Sequence, residues 1–110
     1  HLRHALGEVA TGDIDGARAH HRRALALAVR IGHAAAMCEA VEDLARAESE
    51  QHPDLANQLL RAARAERERR ELPLRQRDAA DLALLEDALS GCPPVREERA
   101  FADIVAELVE

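Results

Sequence analysis

Pro53-Asp54-Leu55-Ala56-Asn57-Gln58-Leu59-Leu60-Arg61-Ala62-Ala63-Arg64-Ala65-Glu66-Arg67-Glu68 reads as a single amphipathic helix. Pro53 suits the first turn, where a missing N–H removes no intrahelical bond. Leu55, Ala56, Leu59, Leu60, Ala62 and Ala63 recur at helical spacing and predict the buried side, with fraying near Glu71. On the N-terminal side, Met37, Ala40, Val41, Leu44 and Ala45 mark another helix over about Ala34 to Glu48. On the C-terminal side, Pro73 breaks the chain and Ala79, Leu82, Leu85 and Leu89 mark a helix over about Arg75 to Leu89.

The same pattern extends to both ends. Leu2, Ala5, Leu6 and Val9 predict a first helix over Leu2 to Ala10, stopped by Gly12, with Asp13 placed to cap its successor. Ile14, Ala17, His21, Ala24, Leu25 and Ala28 then form the stripe of a helix ending at the breaker Gly32. Gly91-Cys92-Pro93-Pro94 is a stop, and a last helix from Val95 to about Val109 presents Phe101, Ile104, Val105 and Leu108. Nothing reads as a strand: sustained period-2 alternation and Asn-Gly or Asp-Gly turns are missing. The expectation is therefore all-α, with about six helices in antiparallel pairs over roughly 2–31, 34–71 and 75–109, one domain spanning 1–110.

An internal repeat sharpens the architecture. Ala17 matches Ala56, His21 matches Leu60 and Ala24 matches Ala63, each pair 39 positions apart. Helix pairs repeating every 34 to about 45 residues are the mark of a helical solenoid. Ala at i and i+7 lets helix axes approach closely, so Ala24→Leu is expected to overpack and cost about 1–3 kcal/mol.

Glu39 to Ala45, the Pro53 helix, Leu72-Pro73-Leu74 and the amphipathic helix closing at Gly91 carry a resemblance. Together they resemble the C-terminal tetratricopeptide-like region of large bacterial transcriptional activators, the LuxR-type ATPase regulators and the SARP-type regulators. The likeness covers nearly the whole chain and is clearest from Cys38 to Gly91. Departures are visible: the turn before the Pro53 helix is Gln51-His52-Pro53 where such proteins usually have Gly-Asp-Pro, and the first unit keeps only Gly12, Ala17 and Ala24 of the motif. The resemblance implies a right-handed superhelical array that senses a signal or holds a partner, beside DNA-binding and nucleotide-binding domains elsewhere in a longer chain. No nucleotide-binding or DNA-reading residue carries over, because those motifs lie outside these 110 residues.

Composition narrows the function further. Hydrophobic residues make up 47% and charged residues 33%, the balance of a folded chain. All fifteen basic residues are Arg, and Asn57 is the sole Asn, which points to a GC-rich bacterial genome. The chain opens at His1 within an apolar helical pattern, so it reads as a fragment of a longer protein. A net charge of -6 argues against direct nucleic-acid contact, and Phe101 alone provides no platform for stacking bases. No apolar run approaches the roughly 20 residues of a membrane span. Cys38 and Cys92 suggest reduced, partly buried thiols in a cytoplasmic protein.

Catalytic and metal chemistry find no constellation. His1 and His4 stand at i, i+3 and His20 and His21 on the neighbouring helix, but a zinc site needs three or four converging ligands. Adjacent helical residues point about 100° apart. Ser49 and Ser90 are the only serines and neither sits in a nucleophile elbow, while Cys38 lies in an apolar helix where thiols are unreactive. Glu39, Glu42 and Asp43 form an acidic cluster that reads as a solvated face or a groove for a basic partner. Glu66 to Glu71 alternates in sign, with Glu66 and Arg70 paired at i, i+4, as expected for a solvated helix end. Arg18, Arg22, Arg23 and Arg30 make the first unit basic, and Arg clusters capture carboxylates.

The resulting expectation is a non-catalytic module without cofactor or metal. It binds a protein partner, or other domains of the same regulator, through a groove formed by the first helix of each pair. Arg18, Arg22, Glu42 and Arg46 are the candidate contacts. A small-molecule effector pocket between helix pairs and a homodimer contact are the alternatives.

Overall fold

The computed structural model describes residues 14–74, 76–91 and 100–109, and all regular structure within them is helical. The helices are α1 (Ile14–Ile31), α2 (Ala34–Glu48), α3 (Pro53–Arg70), α4 (Gln76–Ala88) and α5 (Phe101–Val109). The expected helix over Leu2–Ala10, the Asp13 cap, His1, His4, Cys92 and the segment from Val95 to Arg99 lie outside the described residues.

Local chemistry accounts for the turns. α1 ends in a Schellman motif: Gly32 has φ +70°, its N–H donates to the Val29 carbonyl at 3.1 Å, and His33 N–H donates to Ala28 at 3.0 Å. His33 also starts α2, its Nδ1 accepting from the Ala36 N–H at 3.0 Å. Two residues thus close one helix and cap the next, which obliges α1 and α2 to run antiparallel. At the end of α2 the Ser49 hydroxyl donates to the Arg46 carbonyl at 2.8 Å, and Pro53 opens α3. The residue ending α3 is less expected. Glu71 adopts a left-handed conformation (φ 55°, ψ 48°), its N–H reaching Glu68 at 3.3 Å while Leu72 N–H reaches Arg67 at 2.8 Å. This is the same Schellman geometry, with a glutamate where glycine is the usual occupant.

Packing follows the small residues. Ala40, Ala45, Ala56, Ala62 and Ala63 are buried, and their short side chains let α2 and α3 form the most extensive helix contact, followed by α1 with α2. Leu25, Val41, Leu44 and Cys38 fill the space between and are fully buried. One core cluster takes residues from all five helices, including Leu82, Leu85 and Leu89 from the α4 region and Phe101, Ile104 and Val105 from α5. The main backbone contacts of α5 are with α1 and α3. Its strongly apolar face meets the main core, whereas α4 buries Leu82 and Leu85, with Leu89 just beyond it, and leaves Leu84 72% exposed.

Several expectations need correction. Ala24 is exposed, because α1 buries Leu25 and Ala28 and position 24 lies about 100° round the helix from Leu25. The expected close approach at Ala24 is absent, although its counterpart Ala63 is fully buried. Leu55 and Ala79 are likewise exposed, and the Ile14 side chain lies outside the described residues. The last helix begins at Phe101: Ala100 is non-helical, and its carbonyl accepts from Asp103 at 3.1 Å and Ile104 at 3.2 Å as a cap does.

Candidate partner-binding cleft

A solvent-open cleft of about 530 Å³ lies between the second half of α3, the connection Leu72–Leu74 and α4. Three local rules build it. The Schellman stop at Glu71 turns the chain back, Pro73 keeps the helix from resuming, and Leu82 and Leu85 tie α4 into the core. Leu60, Leu72, Pro73, Leu74 and Leu82 provide its apolar lining.

The charged lining is arranged around one buried ion pair. Glu42 of α2 is 5% exposed and receives two parallel bonds from Arg67 of α3: Nε to Oε2 at 2.6 Å and Nη2 to Oε1 at 2.8 Å. Such bidentate pairing satisfies both carboxylate oxygens and locks the guanidinium plane. Arg67 Nη1 also points to the Pro73 carbonyl at 3.4 Å, so the pair ties α2 and α3 to the connection that borders the cleft. The hydrogen bond to Glu42 holds the Arg67 pKa above the ordinary arginine value, against the opposing effect of burial. Arg64 of α3 bridges to Glu86 of α4 on the more exposed part of the lining. Glu68 and Glu71 complete it, both exposed. Among the described residues neither of these two carboxylates is in an ion pair.

Behind the cleft, Glu66 is buried and accepts from Arg69 at 2.7 and 2.8 Å and from Arg70. Burial alone pushes the Glu66 pKa up; the hydrogen bonds from Arg69 and Arg70 outweigh it, and the net shift is downward. Cys38 is buried within electrostatic reach of these groups. Burial pushes its thiol up to about 11, Arg67 pulling down and Glu42 and Glu66 pushing further up. The thiol is therefore protonated at neutral pH and a poor nucleophile.

The structure separates the four expected contacts. Glu42 lines the cleft, but it is a desolvated carboxylate neutralised by Arg67, not part of the expected solvated acidic face. Arg18 lies at the seam of α1 and α2, donating to Glu48 and, through Nη2, to Gln51 Oε1 at 2.8 Å. Arg46 is exposed and bonds Asp43 at 3.2 Å one turn away. Arg22 is exposed on α1. None of the three arginines lines the cleft. The expected Glu66–Arg70 pair forms, though its carboxylate is buried rather than solvated.

At the same seam His21 Nδ1 stands 4.0 Å from Asp43, too far for a hydrogen bond. Burial, then His20 and Arg46, lowers its pKa, so the ring is neutral at pH 7. His20 meets His21 edge to face at 5.6 Å, and no group of metal-ligating side chains converges among the described residues. No described helix is long and apolar enough to cross a membrane.

The lining residues Arg64, Arg67, Glu68, Glu71 and Glu86 were not legible as a site. Their one sequence signal is the helix stop Glu71-Leu72-Pro73, with an acid at the position glycine usually holds. In comparisons with known proteins, no family model, no curated protein and no solved structure matches this chain.

Proposed function

We propose that this chain is a non-catalytic, tetratricopeptide-like helical module through which a bacterial transcriptional regulator receives a protein partner or one of its own other domains in the cytoplasm. The observation that carries the reading is the open cleft of about 530 Å³, apolar along Leu60, Leu72, Leu74 and Leu82 and charged along Glu68, Glu71 and the Arg64–Glu86 bridge. An open groove of mixed character suits a polypeptide segment, which contributes side chains to the apolar part and charges to the rim. The antiparallel packing of α1, α2 and α3 and the 39-residue spacing of Ala17 and Ala56 support a repeat architecture. The buried acids favour a structural role, since Glu42 and Glu66 are each paired with arginine side chains and Cys38 is protonated.

A small-molecule effector is the second reading, favoured by the cleft volume, which falls within the roughly 300–1,000 Å³ of small-molecule sites. Sedimentation velocity of the purified module, alone and with the remaining domains of its regulator supplied in trans, separates these possibilities. Complex formation with those domains supports the interaction module. A module that ignores them yet gains thermal stability from a small metabolite supports the sensor. A self-sufficient homodimer moves the assignment to assembly, for which exposed Leu27 and Ile31 on α1 are the apolar candidates.

A further inference from the structure

The charge balance of the cleft identifies the kind of segment it takes, an inference that rests on the partner-binding reading above. Glu42 is neutralised by Arg67 and Glu86 by Arg64, so these two pairs add no net charge to the cleft. Glu68 and Glu71 are what remains, and both are exposed beside Leu72 and Leu74. Arg69 and Arg70, the nearest other cations in sequence, are committed to Glu66. An apolar trough bordered by two carboxylates that no described residue pairs with is complementary to apolar side chains flanked by positive charge.

The backbone points the same way. Glycine occupies a left-handed helix stop without steric cost, whereas a side chain there is strained. The chain nonetheless keeps Glu71 at φ 55°, and its residue is part of the cleft lining. The overall charge of -6 would steer a basic segment toward the module and repel an acidic one.

We infer that the cleft between α3 and α4 docks a basic amphipathic peptide segment of a protein partner, its leucine-type side chains on Leu60, Leu72, Leu74 and Leu82 and its Lys or Arg residues on Glu68 and Glu71. The probe is a fluorescein-labelled synthetic peptide of about 14 residues, Leu at i, i+3, i+4 and i+7 and Lys between. Its twin carries Glu in place of every Lys. Fluorescence anisotropy with the intact 110-residue chain follows binding.

The Lys peptide is expected to bind and its Glu twin to bind at least about tenfold more weakly, the gap narrowing as salt rises from about 0.05 to about 0.5 M. Glu68→Lys with Glu71→Lys should weaken the Lys peptide by about tenfold or more. Glu50→Lys with Asp103→Lys changes the net charge equally at exposed positions outside the cleft and should weaken it far less. Far-UV circular dichroism confirms that both doubly substituted chains are folded. Equal weakening by the two pairs overturns the inference, because the attraction is then that of the whole molecule. Equal binding of the acidic twin, or no binding of either peptide up to about 1 mM, overturns it as well. If the module still binds the other regulator domains in trans after such a result, the partner-binding reading stands and only the assignment to this cleft falls.

Discussion

Replacing Glu42 by Gln tests the buried pair on which the cleft rests. The substitution keeps the shape of the side chain and removes its charge, leaving the Arg67 guanidinium, whose side chain is 11% exposed, without a counterion. Removing one partner of a buried pair costs about 3–5 kcal/mol, because the desolvated charge that remains is uncompensated. Two features place this case near the lower end. Arg67 keeps a long contact to the Pro73 carbonyl at 3.4 Å, and glutamine retains one acceptor oxygen. A loss of about 3 kcal/mol is expected, which for a chain of this size corresponds to roughly 13 °C in melting temperature. Urea unfolding followed by circular dichroism reads it, provided the m-value is unchanged so that the denatured state is the same. Glu42→Leu combined with Arg67→Met removes both charges and should recover most of the loss, since a well-packed apolar pair is often as stable as a buried ionic one. A loss below about 0.5 kcal/mol for Glu42→Gln alone, the range of exposed pairs, refutes the claim that this pair is desolvated and organises α2, α3 and the cleft.

Four other expectations are tested separately. Glu71→Gly relieves the left-handed strain and should raise stability by about 0.5–1 kcal/mol in the same urea assay, while removing one carboxylate from the cleft. Leu25→Ala should cost about 2–5 kcal/mol because Leu25 is fully buried, whereas Ala24→Leu, one residue away and exposed, should stay within about 0.5 kcal/mol. In a Cys92→Ser background, iodoacetamide at pH 8 should leave native Cys38 largely unmodified, its thiol pKa being about 11, and alkylate it rapidly in urea; fast native labelling shown by mass spectrometry contradicts that burial. Glu66 has a folded-state pKa below its ordinary value, so its contribution is complete above about pH 4.3 and is lost as pH falls through the lower folded value. Glu66→Gln should flatten that acid limb of the stability curve, and an unchanged limb means the Arg69 and Arg70 bonds contribute nothing.

Helix identity was local information, readable from breakers and apolar spacing alone. Pro53, Gly32 and Pro73 punctuate the chain, and the apolar spacing in α2 and α3 matches the observed buried residues almost position for position: Ala40, Val41, Leu44 and Ala45, then Ala56, Leu59, Leu60, Ala62 and Ala63. Antiparallel pairing of α1, α2 and α3 also followed, because connections of two to four residues leave no other packing.

Which of several acceptable faces is buried depended on long-range packing. Ala24 fits an apolar stripe as well as Ala28, yet only the latter meets the core, since alanine is small enough to be tolerated on either side. The charges show the same division. Glu42 belongs in sequence to an acidic run with Glu39 and Asp43, and only the arrival of Arg67, 25 residues later, makes it dry and paired. Whether a carboxylate is solvated or desolvated depends on what lies opposite, and for Glu42 that neighbour is on another helix. The packing of α5 on α1 and α3 is likewise a long-range outcome that no spacing within the last helix encodes.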